Sequence, residues 1–252
     1  LRIIRASDDA AGLSVSEQLR TQVRGLERAK SNAQDGIALL QIAEGAANEI
    51  SSILQRQREL AVQSANDTLT TTDRSYLDQE FAALTNEIQR IADSTQYNGQ
   101  TLITGSSSSF GGVNSGSSVL HIGANNEAGV DNISISIDSL TVGALGISGS
   151  GTTVGVTSQS SATSAISSID TALTSVNNMR SDVGAYVNRL EHAINNISNQ
   201  EYNTQDAESR IRDVDFAQET TQFTKNQILT QSATSMLAQA NSVPQGVLSL
   251  IG

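Results

Sequence analysis

Between residues 13 and 65 the chain contains no proline, and the glycines there (Gly25, Gly36, Gly45) stand alone. Apolar or small residues recur at Leu19, Val23, Leu26, Ala33, Ile37, Leu40, Ala47, Leu54, Ala61 and Ala65. Lys30, Glu44, Ser51 and Arg58 occupy the remaining places of a series that steps alternately by four and three. Only a helix presents such a series on one side. A second row, Ala46, Ile50, Ile53 and Leu60, widens the face to be buried. At the usual rise this helix is roughly 80 Å long. Compact domains seldom contain so long an element, so the series predicts a helical rod.

The composition supports that expectation. Aromatic residues make up only 3% of the 252 residues, and there is no tryptophan. A globule of this size ordinarily uses large aromatics in its core, whereas long helices can pack through Ala, Leu, Ile and Val. The net charge of −11 argues against a nucleic-acid partner and against docking on an anionic membrane, both of which call for a basic face. No apolar run is long enough to span a bilayer, and no secretory signal is visible. With no cysteine, disulfides and thiolate metal sites are ruled out. The first residue is leucine, so the chain is expected to have been cut or processed at its N-terminal end.

Further along, Ser7 and Asp8 are expected to cap the long helix. A polar turn at 66–72 follows it, and Thr72-Asp73 can start a second helix carrying Leu77, Phe81, Leu84, Ile88 and Ile91 and ending near Ser94. Tyr97-Asn98-Gly99 reads as a turn. From 105 to 160 glycine and serine dominate, and two strands are expected, Val119-Leu120-His121-Ile122 and the alternating Ile133-Ser134-Ile135-Ser136-Ile137. Helical rhythm returns at Ile166, Ile169, Leu173, Val176, Val183, Val187, Leu190, Ile194 and Ile197, with Arg180 interrupting it. The predicted fold is mainly α: a long antiparallel helical rod or bundle from both chain ends, a small β insertion, and a C-terminal helical arm. The short second helix completes the bundle. The expected divisions are 1–104 and 161–212 for the two halves of the rod, 105–160 for the insertion, and 213–252 for the arm. The arm is expected to be disordered or partner-bound in an isolated subunit. Its apolar end (Val243, Val247, Leu248, Leu250, Ile251) suggests a partner outside the chain, and these residues are the candidates for polymerisation.

Blocks of sequence in this order resemble bacterial flagellin. They include SDDAAGL at 7–13, QDGI at 34–37, LQRQRELAVQSAN at 54–66, QYNG at 96–99 and LHIGAN at 120–125. In the second half they are RSDVGA at 180–185, NRLE at 188–191, AESRIRD at 207–213 and LAQANSVPQGVLSL at 237–250. The resemblance implies a helical rod domain built from both chain ends, a terminal arm lining the filament's inner tube, and an outer variable domain facing solvent, here small. It implies self-polymerisation outside the cell, with the family's N-terminal arm missing from this chain. It also implies passage through the type III export apparatus with an export chaperone and without a cleaved signal. A host Toll-like receptor for flagellin grips a face whose matching positions are Gln55, Arg56, Leu60 and Glu80. Gln57 stands where the family usually has valine, a change expected to be tolerated. Burial of Arg56 and Arg58 between subunits of the filament is a second reading of that face. The segment that plant receptors read lies around SDDAAGL, and Ile4 and Arg5 depart from its common form.

No catalytic, cofactor or metal site is expected. His121 and His192 have no second histidine at ligand spacing. Asp8-Asp9 is better read as capping. Asp206, Glu208, Asp213 and Asp215 are interleaved with Arg210 and Arg212, which favours charge balance on a helix face over cation binding. The Ser/Thr-rich insertion is either a solvated linker or a carrier of O-linked sugars. The rival functions are a hook–filament junction protein, a protease-bearing flagellin (for which an HExxH motif is wanting) and an adhesive or carbohydrate-binding surface protein.

Overall fold

A computed structural model describes residues 2–105, 118–127, 129–149 and 152–251; the side chains of 148–149, 152–153 and 241–251 are outside the description. The elements are α1 (Ala10–Ser64), α2 (Thr71–Ser94), β1 (Gln96–Tyr97), β2 (Gln100–Thr101), β3 (Ser118–His121), β4 (Asn132–Ile135), β5 (Ser148–Gly149), β6 (Thr152–Thr153), α3 (Gln159–Arg212) and α4 (Phe216–Ile251). Among the described residues the strands pair as three antiparallel hairpins. Two compact units emerge: Leu1–Thr21 with Asn203–Gly252, and Gln22–Tyr202.

The larger unit is a bundle of α1, α2 and α3. Lys30 meets Glu201 at 3.5 Å and Arg58 meets Asp170 at 2.7 Å, so α1 and α3 run antiparallel. The buried line of α1 is Leu26, Ala29, Ala33, Gly36, Leu40, Ala43, Ala47, Ile50, Leu54, Gln57, Ala61 and Ser64, a heptad seam with steps of three and four. Half of the expected seam, from Leu26 through Ala61 in sevens, is therefore correct. The other half lies one residue too late. Lys30, Ile37 and Ala65 are half-buried, Glu44 and Arg58 are exposed, and only Ser51 is buried. Helix α3 repeats the displacement. Ala162, Ala165, Ile169, Ala172, Val176, Met179 and Val183 are buried, while Ile166, Leu173, Arg180, Val187 and Ile194 flank the seam half-exposed. Small residues carry little hydropathy, so their larger neighbours dominated the pattern. Small residues are nonetheless what fits between facing backbones.

Helix starts also differ by a residue or two from expectation. Asp9, not Ser7 or Asp8, caps α1, accepting the Gly12 N–H at 2.9 Å. Helix α2 begins at a capping box formed by Thr70 and Asp73 rather than at Thr72. The reciprocal bonds satisfy two amides that a helix start leaves open. Arg74 closes the preceding helix by donating to Ser64 O and Asn66 O, each at 2.9 Å. The Tyr97-Asn98-Gly99 turn is a two-residue hairpin loop in which Asn98 (φ 50°) and Gly99 (φ 77°) are both left-handed, as a primed turn requires.

The described part of the insertion packs against the helices. Ile133, Ile135, Leu140, Val142, Ile147 and Val156 share one core with the three helices. The chain returning to α3 is pinned at Val156, whose N–H goes to Asp78 Oδ1 (2.8 Å) and whose carbonyl takes the Ser64 hydroxyl (2.6 Å). The β3–β4 hairpin lies over α1 at Gly25, beside Ala124, and at Gly36, where an added Cβ would strike Leu120 Cδ1. Asn32, on the same face, donates to His121 O at 3.0 Å.

Gln57 is fully buried in the seam. Its amide donates to Phe81 O (3.2 Å) and Thr85 Oγ1 (2.8 Å), while Oε1 has no partner. Thr85 Oγ1 also bonds Phe81 O at 3.0 Å, so both acceptors keep a partner without Gln57. Gln57→Met preserves volume and removes an unsatisfied oxygen. The expected outcome is a gain of about 1 kcal/mol, read as a rise of about 2–4 °C in the melting midpoint by circular dichroism.

Candidate functional site

Helix α4 buries nothing along residues 216–240. Phe216, Phe223, Ile228, Leu229, Met236 and Leu237 are 56–76% exposed. Their arrangement is regular. Leu229, Ala233, Met236 and Ala240 step by four, three and four, and the sequence continues that row at positions 243, 247 and 250. Of the candidate polymerisation residues, Val243, Val247 and Leu250 thus fall on the row and Leu248 and Ile251 sit one position past it; all lie on α4, with their side chains outside the described residues. An apolar heptad row without a partner is half of a coiled-coil interface. The row is legible in the sequence once its alanines are counted.

The second candidate face belongs to α1 and α2. Arg56 Nε and Nη2 both reach Glu80 Oε1, at 3.0 and 2.9 Å, and Nη1 reaches Glu59 Oε2 at 3.0 Å. The Glu80 carboxylate first, and then Glu59, pushes the guanidinium pKa up. Gln55, Arg56 and Glu80 are exposed together. Leu60 does not join them. It is 1% exposed and belongs to the core, because the widening row that contains it faces inward. Val62, 50% exposed, is the apolar residue that lies beside Gln55, Arg58 and Glu59 along a surface groove. Arg58 points elsewhere, to Asp170 at 2.7 Å.

His121 Nδ1 is 2.7 Å from Asn132 Oδ1, and His192 is exposed on α3. Arg210 pairs with Asp206 (2.7 Å), Arg212 with Glu17 (3.1 Å) and Glu208 (3.7 Å). Asp213 takes the Ser209 hydroxyl, and Asp215 caps α4. Among the described residues no three His, Asp or Glu side chains converge for a metal, and no helix is long and apolar enough to cross a membrane.

A helical bundle whose last helix carries an apolar row with no partner among the described residues fits the class of self-associating structural subunits. Comparison with known proteins specifies the family. Residues 1–108 match the model of the bacterial flagellin N-terminal helical region, and residues 166–251 that of the C-terminal helical region. The chain is 45% identical to flagellin FlaB2 of Treponema pallidum and 47% identical to a flagellin of Halalkalibacterium halodurans, in each case over 100% of this chain and 88% of the relative. The crystal structure of Bacillus cereus flagellin superposes with a TM-score of 0.55 at 31% identity, over 66% of this chain and 88% of that one. A putative flagellar hook-associated protein from Vibrio parahaemolyticus shares the fold, with a TM-score of 0.65 at 18% identity over 82% of this chain and 100% of that one. The chain belongs to the bacterial flagellin family.

The two faces separate by substitution. Leu60→Ala opens a cavity in the core and is expected to cost about 3 kcal/mol, or about 6–12 °C in thermal denaturation. Arg56→Ala removes an exposed side chain and leaves the midpoint in place. Thr70→Ala offers a pH test. Thr70 holds the Asp73 carboxyl below its ordinary value of 3.8, so that contribution to stability is present above the unfolded pKa and lost as the pH falls through the folded one. In the variant the Asp73 carboxyl carbon resonance titrates nearer its ordinary midpoint, and the loss of stability on acidification, whose onset the unfolded pKa fixes, is smaller and is complete at higher pH.

Proposed function

We propose that this flagellin, a structural subunit of the flagellar filament, polymerises through the heptad row of α4. The observation that carries this reading is the exposure of Leu229, Ala233 and Met236 in a row that has no partner among the described residues. Burying such a row between copies of the chain supplies the hydrophobic driving force. The subunit works in the extracellular filament. Before assembly an export chaperone covers the same row, and the chain passes unfolded through the type III export apparatus without a cleaved signal. The absence of cysteine suits that route.

The exposed triad of Gln55, Arg56 and Glu80 supports recognition of the monomer by a Toll-like receptor for flagellin. Arg56 offers a planar fork already aligned by Glu80, so little side-chain freedom is lost when it docks. Leu60 contributes by supporting α1 from beneath.

The full chain, added to filament seeds and followed by electron microscopy, is expected to extend them. Met236→Asp, which places a charge on the row, is expected to abolish extension while leaving the monomer folded; extension by this variant at the parent rate would refute the role of α4. For recognition, Arg56→Ala is expected to lower activation of receptor-bearing cells at an unchanged melting midpoint.

A further inference from the structure

Between α3 and α4 the helix is interrupted at Asp213, Val214 and Asp215, where neither glycine nor proline stands. Propensity alone does not force a break there. A helix running on past Arg212 would bond the Asp215 amide to Ile211 O and the Phe216 amide to Arg212 O, each four residues back. Both carbonyls are already engaged. The Arg2 guanidinium donates to Ile211 O at 3.1 Å, and the Arg2 main-chain N–H donates to Arg212 O at 2.6 Å. One residue therefore takes the two acceptors that continuation requires. It also sets a cation at a helix C-terminus, where the dipole favours one.

The segment that carries Arg2 is itself anchored. Asp8 Oδ2 accepts the N–H of Ile4 (3.1 Å) and of Arg5 (2.8 Å). Ile3 is 2% exposed and lies over Gly12, where an added Cβ would come within 2.8 Å of its Cδ1. Arg212 is held from the other side by Glu17 at 3.1 Å. Beyond the interruption, Asp215 Oδ1 accepts the amides of Ala217 (3.0 Å) and Gln218 (3.3 Å) and so starts α4 afresh.

We propose that residues 2–8 form a strap that keeps the α3–α4 junction broken, and that release of Arg2 lets α3 and α4 join into one continuous helix. With the strap docked, Arg2 satisfies the end of α3 and Asp215 the start of α4. With the strap released, Ile211 O and Arg212 O regain protein partners by continuation, at the cost of the Asp215 cap. The junction is thus a two-state element biased by a segment distant in sequence. A partner that takes up residues 2–8 straightens it.

The chain has no cysteine, so nitroxides attached at Asn203→Cys and Thr224→Cys, both exposed positions, can report on the junction in the full chain. Across a continuous helix the two backbone positions lie about 32 Å apart. Arg2→Pro lacks both donors. In that variant a population at about 32 Å, minor in the parent, is expected to become the main one in double electron–electron resonance. Hydrogen exchange at the amides of residues 215 and 216 is expected to slow by about tenfold. Arg2→Ala keeps the main-chain donor and the backbone geometry, and is expected to shift both readouts in the same direction by less. Unchanged distances and unchanged exchange in both variants, with helical content retained, would overturn the proposal.

Discussion

The meeting of α1 and α3 along a seam built largely from small residues is the contact on which the larger unit depends. Ala29, Gly36, Ala43 and Ala47 on one helix, and Ala162, Ala165 and Ala172 on the other, leave room for Leu26, Leu40, Leu54, Ile169, Val176 and Leu190 to fit between them. Alternating small and large side chains at steps of three and four give such a seam one register and little free volume. The larger apolar residues beside it, such as Ile37, Ile53, Ile166 and Leu173, seal its margins and receive α2 and the insertion.

Everything added to that pair is tied by hydrogen bonds as well as by packing. Val156 is held at both its polar main-chain atoms by Ser64 and Asp78, Val142 N–H reaches Gln89 Oε1, and Leu140 N–H reaches Ile103 O. Segments without regular structure leave main-chain groups that must be paired when buried. Polar side chains of α1 and α2 do this for the insertion, so 132–147 and 154–156 form part of the wall of the bundle. Gly36 has the same logic. It lacks a side chain because the hairpin's Leu120 occupies that space.

In the smaller unit the ordering is reversed. A cap made of charged and main-chain groups governs how α3 ends, while the apolar residues of α4 along 216–240 remain outside. The two features belong together in a subunit that assembles. Main-chain bonds set where the helix stops, and the hydrophobic row of α4 is the surface proposed for assembly.

The sequence by itself determined the helices, their approximate ends, the alternating strand at Ile133, the turn at Asn98-Gly99, and, through its ordered blocks, the family. These follow from periodicity and local chemistry, which a linear pattern carries in full. It also placed Arg56 and Glu80 on an accessible face. Only the tertiary structure decided which half of each seam lies inside, because Ala29, Gly36 and Ala165 are nearly silent in hydropathy and Gln57 and Ser64 read as polar. It decided between the two places the sequence offered Leu60, the widened buried stripe and the Gln55–Arg56–Glu80 face, in favour of the first, since a residue on the inner side of that stripe faces the neighbouring helices. Arg2 meeting Ile211 and Arg212 was beyond any local pattern: two hundred residues separate the partners, and nothing in an arginine shows which carbonyl it will find.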